Sequence, residues 1–204
     1  MKVVDRLWNI YYCCAEFLKV HKIRLIIFAV IFVIACAFGV KAGCSCDAAD
    51  VLSNRSIYTM IVDAQNRNIV GFIFLNLICY LICLALLCVF GFNFYTSLIG
   101  VLIFFYVSYM TGYSAALYIA YFKLASLPYV IIVYIPSSLV MSFSLGCAVS
   151  LSLNCGLQMR RNGCFCMHTV IENLPPYLIF AAVTVLSVLY LGIFGGIFTA
   201  GLII

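Results

Sequence analysis

Long apolar runs separated by polar segments dominate the chain. Five runs contain no Asp, Glu, Lys, Arg or His, and they cover residues 25–40, 69–91, 98–121, 128–153 and 178–204. About 20 apolar residues let an α-helix cross the hydrocarbon core of a bilayer. The first run is shorter, but Arg24 and Lys41 at its ends can snorkel to the interfaces. The pattern predicts an all-α polytopic membrane helix bundle, with about five transmembrane helices in a single integral-membrane domain over residues 1–204.

Residues 1–23 precede the first run and follow an amphipathic helical pattern. Charged side chains occupy one side, and the other side carries Val4, Leu7, Trp8, Tyr11 and Leu18. Such a segment is predicted to lie in the membrane interface, with its lysines on anionic lipid. A frayed N-terminus is the alternative.

Two longer polar segments, 41–68 and 154–177, are predicted as an outer and an inner loop. The link over residues 92–97 is so short that the second and third helices should be antiparallel neighbours. Within the fourth run, Pro136 is predicted to kink or break the helix, because proline lacks an N–H group. Ser137 and Ser138 are well placed to bond the backbone groups that it frees.

Three runs carry small residues at every fourth position, on one face of each helix. These are Ser108, Gly112, Ala116 and Ala120 in the third run, Ser138, Ser142, Gly146 and Ser150 in the fourth, and Gly192, Gly196 and Ala200 in the last. Small residues give a helix no better packing against lipid, whereas they allow a second helix to approach closely. We predict that these residues and Pro136 form helix-packing or partner-binding surfaces. Leucine at Gly112 or Gly146 should then disrupt assembly.

Composition supports a membrane protein, since 67% of the residues are apolar and 8% are charged. The net charge is +5, but the basic residues are dispersed or flank apolar runs, which argues against nucleic-acid binding. With the N-terminus inside, the inner segments hold seven Lys and Arg residues and the outer ones four. The excess predicts a cytoplasmic N-terminus.

The runs lack the ionisable residues that mark proton relays and many intramembrane catalytic centres. The sequence also contains no His-Glu-x-x-His, Walker or Gly-x-Ser-x-Gly motif. We therefore predict no enzymatic activity and no cofactor. Seven polar residues within the runs could line a polar path, although tying helices together is their commoner role. They are Asn76, Tyr106, Tyr109, Thr111, Tyr113, Tyr118 and Tyr134.

Twelve cysteines suggest a disulfide framework at first, but five lie inside apolar runs, where cysteine behaves as a small hydrophobe. Cys164, Cys166 and His168 form the main candidate metal site. Their spacing is shorter than structural zinc sites use, which favours reduced, unliganded thiols. Residues Val33 to Cys36 are similar to a bacterial lipoprotein cleavage site, although the preceding leader is too long.

Several stretches resemble a known family when combined with the five-run layout. They are the polar residue before the second run at Asn68, the link from Gly91 to Gly100, Tyr109-Met-Thr-Gly112-Tyr-Ser, and Tyr134-Ile-Pro136-Ser-Ser-Leu. This arrangement is similar to the stage II sporulation protein M family of spore-forming bacteria. The likeness covers the whole chain in layout and its middle in residues. Some relatives carry a histidine and a glutamate near the fourth-helix proline, and this chain has neither there.

The resemblance implies a non-enzymatic scaffold in the bacterial inner membrane, working in engulfment at the septum. Its partners would be membrane-anchored peptidoglycan-remodelling proteins of the sporulation stage II protein D and P type, besides the lipid bilayer and a second copy of the chain. The outer loop would face those enzymes. The alternative is a permease subunit of an export system that binds a cytoplasmic ATPase through the inner loop or residues 1–22.

Overall fold

The computed structural model describes residues 15–45, 69–91, 93–122, 127–162 and 167–202, and these contain helices but no strand. Helix α4 begins at Leu127–Tyr129, passes through a π-helical turn at Val130–Tyr134 and continues as Ile135–Asn162. The other helices are α1 (Lys22–Cys44), α2 (Ile69–Phe90), α3 (Phe94–Phe122) and α5 (Met167–Leu202). The prediction of an all-α bundle is confirmed for this part of the chain.

Four helical segments are long and apolar enough to cross a membrane: Lys22–Cys44, Tyr95–Ala120, Leu127–Arg161 and Leu174–Gly195. Helix α2 adds a shorter apolar stretch, Leu77–Val89, among the residues whose side chains are described. The chain therefore has the helices of a membrane protein.

Helix α4 lies at the centre and contacts each of the other four helices. In its apolar segment 61% of the residues are buried, against 17% in α1. Its Leu145, Ala148 and Val149 form a core with Phe104 of α3 and Phe28 of α1, to which α2 adds Leu84 and Leu87. The side chains on the outward face of α1 are large and apolar, as a lipid-facing surface requires.

Contacts between residues on neighbouring helices give the relative direction of those helices. Phe28 of α1 packs against Phe104 of α3, and Gly43 lies at Ala116, so α1 and α3 run parallel. Helices α4 and α5 are antiparallel, because Ser144 bonds Phe180 whereas the earlier Ile132 bonds Tyr190. This alternation is the one expected of successive membrane crossings.

The segment 154–177 differs from its prediction as a loop. Helix α4 extends to Asn162 and α5 begins at Met167, which leaves residues 163–166 between them, outside the described residues. Arg160 and Arg161 lie in the last turn of α4, where positive charge favours the helix C-terminus. Pro175 and Pro176 lie inside α5. The polar residues described in this segment therefore belong to the ends of two helices that extend past their apolar segments.

The described part of the N-terminal amphipathic segment is helical over residues 15–20 and joins α1 through a turn at His21. The backbone bonds from His21 N to Phe17 O, 2.9 Å, and from Leu25 N to His21 O, 3.0 Å, carry the helix across this turn. Leu18, on the predicted apolar face, is exposed, whereas Phe17 is buried against Cys147, Leu151 and Phe180. Residues 1–14 lie outside the described ranges, as do 46–68. The helical segment over residues 15–20 therefore packs against α4 and α5 through Phe17.

Candidate helix-packing interface

The backbones of α1 and α3 meet at glycines on both helices. A methyl group on Gly39 would overlap the carbonyl oxygen of Tyr109 and lie 2.7 Å from the backbone nitrogen of Tyr113. On the other helix, a methyl group on Gly112 would overlap the carbonyl of Cys36 and lie 2.8 Å from its Cα. Only hydrogen fits at either position, which is the close approach that small residues permit between membrane helices.

Two further predicted residues of α3 join this contact. Ser108 is fully buried; its hydroxyl donates to Phe104 O at 2.7 Å, and its carbonyl accepts from the Cys36 thiol at 3.1 Å. Ala116 is buried, and a methyl group on Gly43 would come within 2.7 Å of its Cβ. Ala120, one turn further on, is exposed. Because α1 ends at Cys44, its surface does not extend far enough to cover Ala120.

The small residues on the α1 side of this contact were not predicted from the sequence. Ala35, Gly39 and Gly43 are all buried and recur every fourth residue. Gly43 lies beyond Lys41, in the segment predicted as the outer loop, so the repeat straddled the predicted end of the helix. The four-residue spacing was the available signal.

The predicted small residues of α4 are all buried, but they have different surroundings. A methyl group on Gly146 would find its nearest neighbour, the Phe104 ring, at 3.4 Å, and Phe28 Cβ at 3.7 Å. Ser142 and Gly146 also border a cavity beside α1. Gly146 is therefore not a close-approach glycine like Gly112, since an added methyl group there makes only ordinary van der Waals contacts.

Helices α4 and α5 are joined by buried hydroxyl groups outside the predicted face. Ser144 donates to the carbonyl oxygen of Phe180, and Thr184 donates to the Ser144 hydroxyl at 2.7 Å. Both side chains are at most 1% exposed. The Tyr177 hydroxyl likewise donates to Leu84 O of α2. For Ser144 and Thr184 the sequence signal was a polar residue within an apolar run, whereas Tyr177 lies in the segment that was predicted to be the inner loop.

The π-helical turn of α4 lies directly before Pro136, and the helix continues past the proline instead of breaking. Proline cannot donate to Ile132 O, four residues earlier. The Tyr190 hydroxyl of α5 lies 3.3 Å from that oxygen and donates to it. The Ser137 hydroxyl donates to Val133 O at 2.7 Å and lies 2.9 Å from Tyr134 O. Neither is the carbonyl group that Pro136 leaves without its helical donor, so the role predicted for Ser137 is filled by Tyr190. Pro136 itself is exposed.

Three tyrosines pack together beside this turn. The ring of Tyr118 on α3 lies 5.2 Å from that of Tyr129 and 5.5 Å from that of Tyr134. All three are buried, and Tyr134 donates to Thr111 O at 3.2 Å. Gly195 of α5 faces Tyr129, since a methyl group there would lie 3.5 Å from the ring. The cluster ties α3, α4 and α5 together.

The residues proposed for a polar path are dispersed. Tyr106 is 61% exposed on the outer surface of α3. Tyr109 and Tyr113 stack on each other beside α1, with ring centroids 6.1 Å apart. The side chain of Asn76 lies outside the described residues. Among the tyrosines and Thr111, the arrangement supports helix tying and does not form a continuous path.

The predicted face of α5 is described only in part. Gly192 is buried, whereas the surroundings of Gly196 and Ala200 lie outside the described residues. Cys164, Cys166 and the His168 side chain are also outside them. In the part of the chain that the structure describes, no group of three His, Cys, Asp or Glu residues could hold a metal ion.

Among the described residues near the start of α1, His21 is a buried residue with a titratable ring. Its ring lies 4.5 Å from that of Phe17, and the Arg24 guanidinium donates to its Nδ1 at 3.5 Å. Burial, and secondly the positive charge of Arg24, lower the pKa of His21 below its usual value. The neutral imidazole is therefore the form that suits this contact.

No family model, curated protein or solved structure matches this chain.

Proposed function

We propose that the chain is a five-span, non-enzymatic membrane scaffold that holds membrane-anchored partners through helix contacts. The observation that carries the proposal is the use of the buried polar groups. Apart from His21, the buried polar side chains of the described residues carry hydroxyl groups, on serines, Thr184 and tyrosines. Ser144 and Thr184 bond across the contact between α4 and α5, and Tyr134 of α4 bonds the backbone of α3. Such an interior supports assembly, and its described part buries no Asp, Glu, Lys or Arg, the residues that mark many ion pathways and intramembrane catalytic centres.

The parallel direction of α1 and α3 supports the fifth span. Because α1 ends on one side of the bundle and α3 begins on the other, the chain must return between them. Helix α2, Ile69–Phe90, is the described helix in that interval, and its 22 residues suffice for a crossing. We propose that the N-terminus is cytoplasmic and that residues 46–68 lie outside.

This topology can be tested at Cys44, which is exposed at the end of α1. A variant that keeps Cys44 as its only cysteine should react with a membrane-impermeant maleimide in intact cells. A second variant with a single cysteine at Arg161, which is exposed near the end of α4, should react only after lysis. Labelling of both, or only of the second, in intact cells would contradict the proposed orientation.

The partner class in this proposal comes from the resemblance of the third and fourth apolar runs to the sporulation family. We propose peptidoglycan-remodelling proteins with single membrane anchors, engaged at the septal membrane of a bacterium. The test is purification of the chain from its native membrane in mild detergent, with mass spectrometry of what co-purifies. An unrelated tagged membrane protein from the same cells is the control. Recovery of a nucleotide-binding subunit instead would favour the permease alternative and overturn the scaffold.

A further inference from the structure

An apolar groove lies on the outer surface between α1 and α4. Its cavity is about 300 Å³ and is half open to the surroundings of the bundle. The floor consists of buried Ser142, Gly146 and Phe104, and the rim includes the exposed Val33, Leu139 and Phe143. Its surface is almost entirely apolar. In a bilayer this groove would open toward the acyl chains.

The size of the groove limits what can fill it. Its α1 wall runs from Leu25 to Val33, a rise of ~12 Å at 1.5 Å per residue. The hydrocarbon core of a bilayer is about 30 Å thick, so the acyl chains of one leaflet extend about 15 Å, close to the length of the groove. A helix that spans the membrane is about twice as long. A single hydrocarbon chain therefore fits the groove better than a partner helix does.

Positive charge lies at one end of the groove. Along α1 the groove wall is formed by Leu25, Phe28, Ala29, Phe32 and Val33, which share a helix face. Lys22 lies one turn before Leu25, and Arg24 lies one turn before Phe28, so these two basic residues flank that face at its N-terminal end. Glu16 is the only acidic residue among the described positions 15–45 and lies two turns further away.

We propose that this groove binds one acyl chain of an anionic phospholipid from the leaflet at the Lys22 end of α1, with the lipid phosphate held by Lys22 and Arg24. The half-buried Arg24 donates to His21 through one nitrogen and retains further N–H groups for a phosphate. Small side chains on α4 open the groove, which gives Ser142 and Gly146 a role distinct from close helix approach. The lipid would fill the gap between α1 and α4 and stabilise a helix that otherwise contacts mainly α3.

The test uses the full chain reconstituted in vesicles of equal phosphatidylglycerol and phosphatidylcholine, then extracted gently for native mass spectrometry. We expect one retained phospholipid, with phosphatidylglycerol preferred about tenfold or more, since each basic residue near an anionic headgroup contributes. Ala29→Phe should fill the groove and remove the bound lipid. Ala37→Phe is the matched control, because Ala37 is exposed on the same helix and does not line the groove.

The charge part of the proposal has its own variant, which changes only the exposed end of α1. Combined Lys22→Gln and Arg24→Gln should bring the lipid preference close to one, whereas Lys41→Gln at the other end should leave it unchanged. Equal retention of both lipids by the original chain would overturn the proposal. So would lipid retention by Ala29→Phe equal to that of Ala37→Phe, or a photo-crosslinker at position 29 that captures a polypeptide instead of lipid.

Discussion

The two most extensive helix contacts among the described residues are built differently. Helices α1 and α3 meet through glycine, with the backbone of each helix against the other at Gly39 and Gly112. Helices α4 and α5 meet through side chains, with Ser144 and Thr184 bonding across the interface. The first contact depends on the absence of atoms, whereas the second depends on particular hydroxyl groups. Only the first contact lies on a predicted small-residue face, because Ser144 and Thr184 belong to none of the predicted faces.

The largest effect should come from adding one methyl group at the glycine contact. Gly112→Ala forces the Cys36 backbone away, and neither helix backbone can move without loss of packing. We expect a loss of about 1–3 kcal/mol or more in the free energy of unfolding, the usual range for overpacking. Reversible unfolding in mixed micelles would measure it.

Gly146→Ala is the matched control for that change, since its added methyl group meets only side-chain atoms at 3.4 Å or beyond. Its expected effect is well below that of Gly112→Ala. Equal destabilisation by the two variants would show that α1 and α3 do not approach as described.

The hydroxyl contact should be weaker per residue. Thr184→Val removes, with little change in shape, a hydroxyl that bonds Ser144 across the interface at 2.7 Å and Phe180 O in its own helix at 2.9 Å. We expect a loss of ~0.6 kcal/mol in the free energy of unfolding, with ~1.7 kcal/mol as the upper end for membrane helices. The comparison is Thr111→Val, because the Thr111 hydroxyl bonds Val107 O within its own helix at 3.0 Å. If the two variants lose similar unfolding free energy, the bond between α4 and α5 contributes no more than a hydroxyl bond within one helix.

A pH titration tests how the start of α1 is held against α4 and α5. The lowered pKa of His21 means that the folded state favours the neutral ring. Stability should be insensitive to His21 above its ordinary value of 6.5, and should fall as the pH drops from there through the lowered value. Thermal unfolding between pH 8 and pH 5 would show the decline, and His21→Phe should lose that component. An unchanged profile in His21→Phe would contradict the assignment.

The smallest effect is expected at the proline. Tyr190→Phe removes the donor to Ile132 O, but the bond is long at 3.3 Å and exposed. We expect a loss below the ~0.6 kcal/mol average for interhelical bonds. Tyr134→Phe, whose hydroxyl bonds Thr111 O within the buried cluster, should cost more. Both losses would be measured by unfolding in the same micelles. A larger loss for Tyr190→Phe than for Tyr134→Phe would show that the bond from α5 is the main stabilising contact of the Pro136 region.

Much of this architecture follows from residue types. Uninterrupted apolar runs are long enough to span a bilayer, and a membrane helix must satisfy its own backbone. That reasoning locates α1, α3, α4 and α5. It also finds Ser108, Gly112 and Ala116 of α3. It fails over 154–177, where polar residues continue two helices beyond the apolar region, because helix propensity does not stop at a change in polarity.

The partner of each face was decided by tertiary structure alone. In a water-soluble protein, the buried face of a helix is apolar and the exposed face is polar, so the sequence pattern identifies the buried face. In a bilayer the lipid is as apolar as a packed interior, so the faces of α1 toward lipid and toward α3 differ little in composition. Glycine and serine mark faces where another surface can come close, but the same signal serves Gly112 at a helix contact and Gly146 at a groove. Only the three-dimensional arrangement of neighbours distinguishes them, because distance between backbones is a property of two helices together.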